Sequence, residues 1–563
     1  MSRLQNLFNK HWFLLGIFAL TLVAAILRFY QLGQVPHGMT WDEAAIGYNG
    51  FAVFNTRRDE WLVRLPVSFQ SFGDYKAPLS IYLNGAFTHF LGMTLWAVRF
   101  PFALASTLAI PGVILLTAEL LHLTGMGSSE DLKQNQTKVH RWALFVGLLM
   151  TFSPWQLHFA RIAFESGMML SFIIWGCWCL CKLLNQTKPV WKQSFLWTFG
   201  TVLMFAAALY TYHSAKLFLP LMLLVFVVLF RRSFWQKKLW IGLAGVSGLI
   251  ALWPMIKDTL WASGGERFTQ ATVAGLPISL REKIVQVIEH FFVHLSPQFL
   301  VMGATTTLRH GDGHWGVLLL PTFALVILGV IFGLFNLTKW LWSYTSHHTI
   351  SATARFCLIA VFWILIGLIP AAMGRDVPHS NRALTALPGF LFLASWALFE
   401  LIPFLEQTKL NQHLSGSKHE ENLLVKSVLG LFFLLYFFLS LQYLRSYYTV
   451  FAADSAKDFT DGYLQAAQFA AAEEPNSDKI LFTSKYGQPY IFLLFVRKTN
   501  PIWYRGGSLI KYEFTDQIKQ GDLDRNKTTI VATPDEIDPK FADEKVYGSD
   551  GAVRFVLVKP KQQ

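Results

Sequence analysis

The feature that most constrains this chain is the recurrence of apolar runs about as long as a bilayer is thick. A helix crossing the hydrocarbon core needs ~20 mostly apolar residues. Runs of that kind lie at about 12–32, 97–122, 141–160, 162–182, 194–212, 215–230, 239–257, 315–338, 355–374, 383–403 and 427–445. Eleven such runs in 563 residues exclude a large soluble protein, and a composition of 53% hydrophobic against 15% charged residues agrees. The expected fold class is an α-helical polytopic membrane protein of about eleven transmembrane helices. The first run is long and lacks a small-residue cleavage site, so it reads as a span and not as a removed signal.

A formal net charge of +13 would point to nucleic acid in a soluble protein. Here the cations sit beside the apolar runs, as in cytoplasmic loops facing anionic lipid, and no nucleic-acid partner is expected. With the N-terminus cytoplasmic, one side collects Lys133 and Lys138; Lys182, Lys188 and Lys192; Arg231, Arg232, Lys237 and Lys238; and Lys409, Lys418 and Lys426. The other side receives 33–96, 258–314, 375–382 and 446–563. This sets the expected organisation: residues 1–445 as a membrane domain with outer-face loops 33–96 and 258–314, and 446–563 as an extracytoplasmic domain of a plasma-membrane protein.

Within the loops, 79–92 is too short to cross and suits a helix lying in the interface. "REKIVQVIEHFFVHL" has apolar residues at helical spacing and reads as a second such helix. In 446–563, "SAKDFTDGYLQAAQFAAAE" reads as a helix, and "KILFTS", "TTIVAT" and "VRFVLVKP" read as strands, giving a small α/β domain. Cys177, Cys179, Cys181 and Cys357 lie inside apolar runs with no C-x-x-C spacing, which argues against a disulfide or metal framework.

Chemistry concentrates at the ends of the runs on the non-basic side. "GMTWDEAAIGYNG" places Asp42 and Glu43 shortly after the first span, and "FGDYKAPLSIYL" places Asp74, Tyr75 and Lys76 ahead of the interfacial helix. Arg99 opens the second span. "PWQLHFARIAFESGMML" supplies His158, Arg161 and Glu165, "LYTYHSAKLFLP" supplies Tyr210, Tyr212, His213 and Lys216, and "RDVPHSNRALTALP" supplies Arg375, Asp376, His379 and Arg382. Each has a structural alternative. Thr40 with Glu43 spells a capping box, Arg161 with Glu165 an i,i+4 pair, and Arg99 and Lys216 can snorkel. His213 can simply pack. An acid pair and a lysine in one membrane-proximal segment ask for more than a cap. A lipid-phosphate-linked donor fits them. Its tail needs apolar walls, its phosphate needs cations aimed at the developing charge, and an acceptor hydroxyl needs a carboxylate within ~3 Å.

At these residues the sequence resembles the GT-C glycosyltransferases of family 39, which include protein O-mannosyltransferases and the aminoarabinose transferases that modify lipid A. The match is to the bacterial branch of uncharacterised substrate. The resemblance covers residues 10 to about 400 and is carried by "TWDEAAIGY", "GDYKAPLSIYL", "AVRFPFALAS" and "SPWQLHFARIAFES", with "HSNRALTALP" a looser match. It implies Asp42 as catalytic base, Glu43 as its partner in positioning the acceptor, and Lys76 as the donor-phosphate contact. Arg99 and Arg382 are further candidates for phosphate or structural contacts, and Glu165 matches a position where relatives carry an acid. The implied reaction is an inverting transfer from a polyprenyl-phosphate sugar to a protein or envelope-glycan or lipid hydroxyl on the outer face. The sequence departs from the family at Ala45, where aminoarabinose transferases have a basic residue. Its loop 258–314 is too short for the lumenal domain of eukaryotic mannosyltransferases, and Ala77-Pro78 replaces two prolines. The first two departures leave the acceptor open. No cofactor is required by this chemistry, and no His-rich cluster calls for a divalent ion. A lipid-linked glycan transporter and an assembly subunit with a lapsed site remain the alternatives.

Overall fold

The computed structural model describes residues 2–126, 132–188, 190–261, 266–344, 351–408 and 422–561. Lys409 and Lys418 of the expected basic side lie outside these residues. Helices occupy all eleven expected runs. Seven of the described helices are long and apolar enough to cross a membrane, or eight if one bent pair counts as a span. Ser214–Leu229 and the apolar stretch Leu320–Asn336 are shorter than that measure. Large apolar side chains such as Leu249, Ile250, Leu434 and Phe438 stay exposed along Lys238–Trp261 and Leu423–Asp454. Lipid is the solvent that makes such faces affordable.

The third span differs from a straight helix over 141–160. Asn135–Thr151 and Pro154–Ala160 meet at 59°. The break has a local cause: Ser153 caps the second piece by accepting from Gln156 N, and Pro154 can only open a helix, not continue one. The break frees carbonyls at the end of the first piece, and the buried Arg28 guanidinium is directed at those of Met150 and Thr151 while Nε donates to Gln156 at 3.0 Å. Arg161 does the reciprocal service. Its Nη1 donates to Leu27 O at 2.9 Å and to Arg28 O at 3.2 Å, at the end of the first helix, Ser2–Phe29, and its Nη2 to Val35 O at 2.9 Å in the loop that follows. Cations at helix C-termini satisfy orphan carbonyls and oppose the helix dipole. The i,i+4 reading of Arg161 with Glu165 does not apply, because residues 161–164 are not helical and Glu165 opens the next helix, Glu165–Asn185.

Segment 33–96 folds into two helices, Trp41–Thr56 and Pro78–Leu91, with a hairpin of Phe69–Ser71 and Asp74–Lys76 between them. The helices cross at Gly50 and Gly85, where a Cβ on either would meet the other's backbone. Loop 258–314 carries the amphipathic helix Leu280–Val293, started by a Ser279–Glu282 capping box. The four segments expected on one side meet at one end of the bundle: His379 N donates to His294 Nε2 at 3.0 Å, Thr460 Oγ1 to Met39 O at 2.6 Å, and Leu308 N to Asp458 at 2.7 Å.

The C-terminal region forms a five-stranded sheet in the order Tyr512–Thr515, Lys479–Thr483, Thr528–Ala532, Val553–Val558, Glu544–Tyr547. The first three strands run parallel and the last two pair antiparallel. The expected helix over 455–473 is confined to Tyr463–Ala472, after Gly462 in a left-handed conformation. Two strands and the helix Pro489–Arg497 were not anticipated. This region shares its apolar core with the helix carrying Asp42: Ala44, Ile46, Tyr48 and Val98 pack in one cluster with Ile491, Phe492 and Phe495.

Candidate active site

The adjacent acids have opposite environments. Thr40 caps the helix Trp41–Thr56, and both halves of the capping box form: Glu43 N donates to Thr40 Oγ1 at 3.2 Å and Thr40 N donates to Glu43 Oε2 at 3.1 Å. The third helical position folds back, so Glu43 turns inward and is fully buried. There it meets Arg99, whose Nε donates to Oε1 at 2.8 Å and Nη2 to Oε2 at 3.1 Å, and Ala163 N donates to Oε1 at 3.0 Å. The remaining Arg99 donors go to the carbonyls of Leu32, Pro36 and Gly38 at 2.9–3.2 Å. All five guanidinium N–H groups are engaged inside the protein, which leaves Arg99 none for a phosphate.

Asp42, one position earlier, points outward from the same turn and is about a quarter exposed (24%). Lys76 Nζ donates to its Oδ1 at 2.6 Å, and Arg309 Nη1 lies 4.0 Å from its Oδ2. Lys76 is delivered by the hairpin. Phe72 and Gly73 both have positive φ, the geometry of a type I′ two-residue turn, which aligns Ser71 with Asp74 and ends the second strand at Lys76. The hairpin is held from both sides. Ser71 Oγ donates to Glu60 Oε1 at 2.5 Å, and His213 Nε2 lies 3.2 Å from Tyr75 O. Asp74 accepts from Tyr75 N at 2.9 Å through Oδ1.

Glu60 is a carboxylate the sequence reading passed over. It is wholly buried, accepts also from Asn49 Nδ2 at 3.3 Å and from Tyr490 OH at 3.2 Å, and burial pushes its carboxyl above the usual range. It ties the hairpin to the C-terminal region.

Arg309 and His310 were also missed. The Arg309 guanidinium stacks over Trp41 at 4.7 Å, a cation–π contact that fixes its plane beside Asp42. His310 stacks on His379 with ring centroids 4.0 Å apart, and His379 N donates to His294 Nε2 at 3.0 Å. Enclosure pushes the His310 imidazole down to about 3, with the Arg309 charge adding to it and Asp42 opposing. His379 is held well below its ordinary value for the same reason, and His294 lies at about 4. All three rings are therefore neutral at pH 7. The signal that could have found this loop was in "LRHGDGHWG" (308–316): cations and histidines among glycines, just ahead of an apolar run.

Arg382 acts with Arg309 on the His310 imidazole. Its Nη1 donates to Ala271 O at 3.1 Å, and it lines a cavity of about 210 Å³ with Tyr212, His213, Lys216, Phe268 and Met373. Lys216 Nζ donates to Thr259 Oγ1 at 3.3 Å on the same wall. His213 connects the two places, since it lines this cavity and also reaches the backbone beside Lys76. Glu165 is buried at the head of its helix, and Arg161 is committed to the first helix and to the ring of Tyr448, 5.0 Å from its guanidinium carbon. Among the described residues, no group of three or more His, Cys, Asp or Glu side chains is arranged to hold a metal ion.

The chain is similar along nearly its whole length to ArnT from Cupriavidus metallidurans in the apo state, with a TM-score of 0.51 at 14% identity, covering 98% of both chains. The same enzyme bound to undecaprenyl phosphate gives a TM-score of 0.50 at 12% identity, covering 96% of this chain and 97% of that one. The apo oligosaccharyltransferase of Archaeoglobus fulgidus gives 0.50 at 12% identity, covering 93% of this chain and 70% of that one. No protein-family model and no curated protein matches the sequence. The chain shares the GT-C fold of these structures: a polytopic helical membrane protein with a small C-terminal sheet region.

Proposed function

We propose that the protein is an integral-membrane inverting glycosyltransferase that moves a sugar from a polyprenyl-phosphate donor to an acceptor hydroxyl, with Asp42 as the base. One observation carries this reading: a partly exposed carboxylate at a helix head stands between Lys76 and Arg309, near a cavity lined by Lys216 and Arg382 with apolar walls. In the step that follows, Asp42 takes the acceptor O–H proton and the oxygen attacks C1 of the sugar opposite the phosphate. The C1–O bond breaks, and its electron pair leaves with the polyprenyl phosphate. The leaving phosphate gains negative charge, and preorganised cations lower that barrier. Lys76 has three donors on a compact head, so it can turn from Asp42 to the phosphate and release the carboxylate to accept a proton.

Glu43 and Arg99 are removed from the substrate-contacting set in this reading, because each satisfies the other. They position the helix that carries Asp42. The similarity to ArnT, a structure of which binds undecaprenyl phosphate, supports the donor class. The basic residues at the other end of the bundle support an extracytoplasmic site, with 446–563 as a domain on that face, through the preference of Lys and Arg for cytoplasmic loops. The acceptor is a protein or an envelope glycan or lipid. The test is transfer of radiolabel from polyprenyl-phosphate sugars by the purified protein in proteoliposomes, wild type against Asp42→Asn. Labelled acceptor formed by the wild type and lost in the variant supports the reading. Movement of intact donor across the bilayer without bond cleavage would make the protein a transporter.

A further inference from the structure

The loop after the helix Trp41–Thr56 sorts its side chains by chemistry. In residues 57–65 both acids, Asp59 and Glu60, are buried, while Arg57, Arg58 and Arg64 are exposed together with Trp61, Val63 and Leu65. Asp59 spends its carboxylate on Trp61 N and Val63 N, each at 2.9 Å, and so turns the apolar tips outward. Arg58 and Arg64 face each other across an antiparallel bridge. Like charges directly opposite repel, a placement that an anionic surface relieves.

A second segment adds to the same surface. The Arg505 guanidinium stacks on the Trp61 ring at 3.8 Å, and its Nε donates to Glu60 O at 2.9 Å. Around it Trp503 is 70% and Ile510 89% exposed, and residues 498–511 present Lys498 and Arg505 and contain no acid, while Lys511 Nζ donates to the carbonyls of Glu474 and Ser477. Exposed apolar tips set among Arg57, Arg58, Arg64, Lys498 and Arg505, with Asp59 and Glu60 turned inward, are the composition of a surface that lies on anionic lipid. The patch also continues into residues at the membrane. Phe54, one turn before Arg57, contacts the ring of Phe90 at 6.5 Å, and Phe90 is 80% exposed just ahead of the spanning helix Leu95–Thr124.

We infer that residues 57–65 and 498–511 form one lipid-facing surface that rests the C-terminal region on the headgroups of the membrane the protein spans. Because Glu60 also holds the hairpin through Ser71, the lipid contact lies one residue from the support of Lys76. The inference needs the membrane fold only and stands independently of the catalytic reading.

The test uses the full-length protein in vesicles containing phosphatidylglycerol. Single cysteines at Val63, Trp503 and Ile510, all exposed, are spin-labelled; the four native cysteines are buried. Collision with oxygen and with a water-soluble nickel chelate reports immersion. The expected result is a ratio shifted toward oxygen at all three sites relative to a label at Asp524, an acidic position 88% exposed. Equal nickel access at 503, 510 and 524 overturns the inference. So does dipolar broadening between labels at 503 or 510, which would mean that a second copy covers the patch.

Discussion

Replacing Glu43 by Gln separates a structural from a catalytic acid. The two carboxylate oxygens accept from Arg99 Nε, Arg99 Nη2, Ala163 N and Thr40 N, all within 3.1 Å. Gln keeps one acceptor oxygen and turns an NH₂ toward at least one pair of these donors. Buried N–H groups are then orphaned, and the Arg99 charge stays buried without its counter-ion. Breaking a buried pair from one side costs about 3–5 kcal/mol. Unfolding of the purified protein followed by tryptophan fluorescence should show a marked drop in transition temperature. Residual activity should track the folded fraction. Arg99→Lys should also destabilise, since one ammonium cannot reach three carbonyls and a carboxylate. Combining Glu43→Gln with Arg99→Gln should cost less than the sum of the two, the signature of a coupled pair. An unchanged transition with lost transfer would refute this account and return Glu43 to the acceptor site.

Other perturbations give contrasting signatures. Asp42→Asn should leave the unfolding transition near wild type and lower turnover about 10²–10⁴-fold in the transfer assay, the usual effect of losing a positioned base. Lys76→Ala should raise the donor KM and lower kcat together, with Lys76→Arg recovering only part, because a planar guanidinium cannot take the place of a compact ammonium. Arg309→Lys should keep the charge and lose the flat contact on Trp41, so steady-state kinetics should place it between wild type and Arg309→Ala. Stability should depend on pH through His310. Its folded-state value of about 3 lies below the ordinary 6.5, so the unfolded chain binds more protons in between; stability is full above about 6.5 and falls as pH drops toward 3. Melting curves of His310→Phe should show a shallower decline over that window.

The sequence was most legible where one strong local signal sufficed. Apolar runs located the helices because hydrocarbon admits no other open-ended backbone. The capping box, and the candidates Asp42 and Lys76 that the structure places 2.6 Å apart, were visible because acids and cations beside spans are conspicuous. The break at 151–154 was legible too, had Ser153-Pro154 been weighed as a helix start. What stayed hidden depends on distant partners. Nothing near Glu43 reveals that Arg99 takes its charge, and nothing near Arg99 reveals that its other donors go to the carbonyls of Leu32, Pro36 and Gly38. Arg309 and His310 join the site from a loop more than two hundred residues away, whose path is set by Asp458 and not by any periodic pattern. The strands Tyr512–Thr515 and Glu544–Tyr547 are four residues each and lie at the sheet edges, too short for alternation to show.

The acid pair that singles out this chain is divided by the geometry of one helical turn. At the third helical position a side chain can fold back to the cap; at the second it cannot reach the same donors and faces outward. Glu43 therefore enters the interior, where it fixes the helix start against Arg99 and, through Arg99, against the loop 32–38 that leads in from the first span. Asp42 inherits that rigidity without bearing the load. Its carboxylate is held at the mouth of the site by a backbone that the buried pair has already fixed, and its own contacts are cations that a phosphate can draw away. In the proposed role as base, Asp42 must be accurately placed and yet exchange partners during each cycle. Adjacent acids on one turn supply the two requirements separately, so the two substitutions should fail differently: Glu43→Gln in the melting curve, Asp42→Asn in the turnover number.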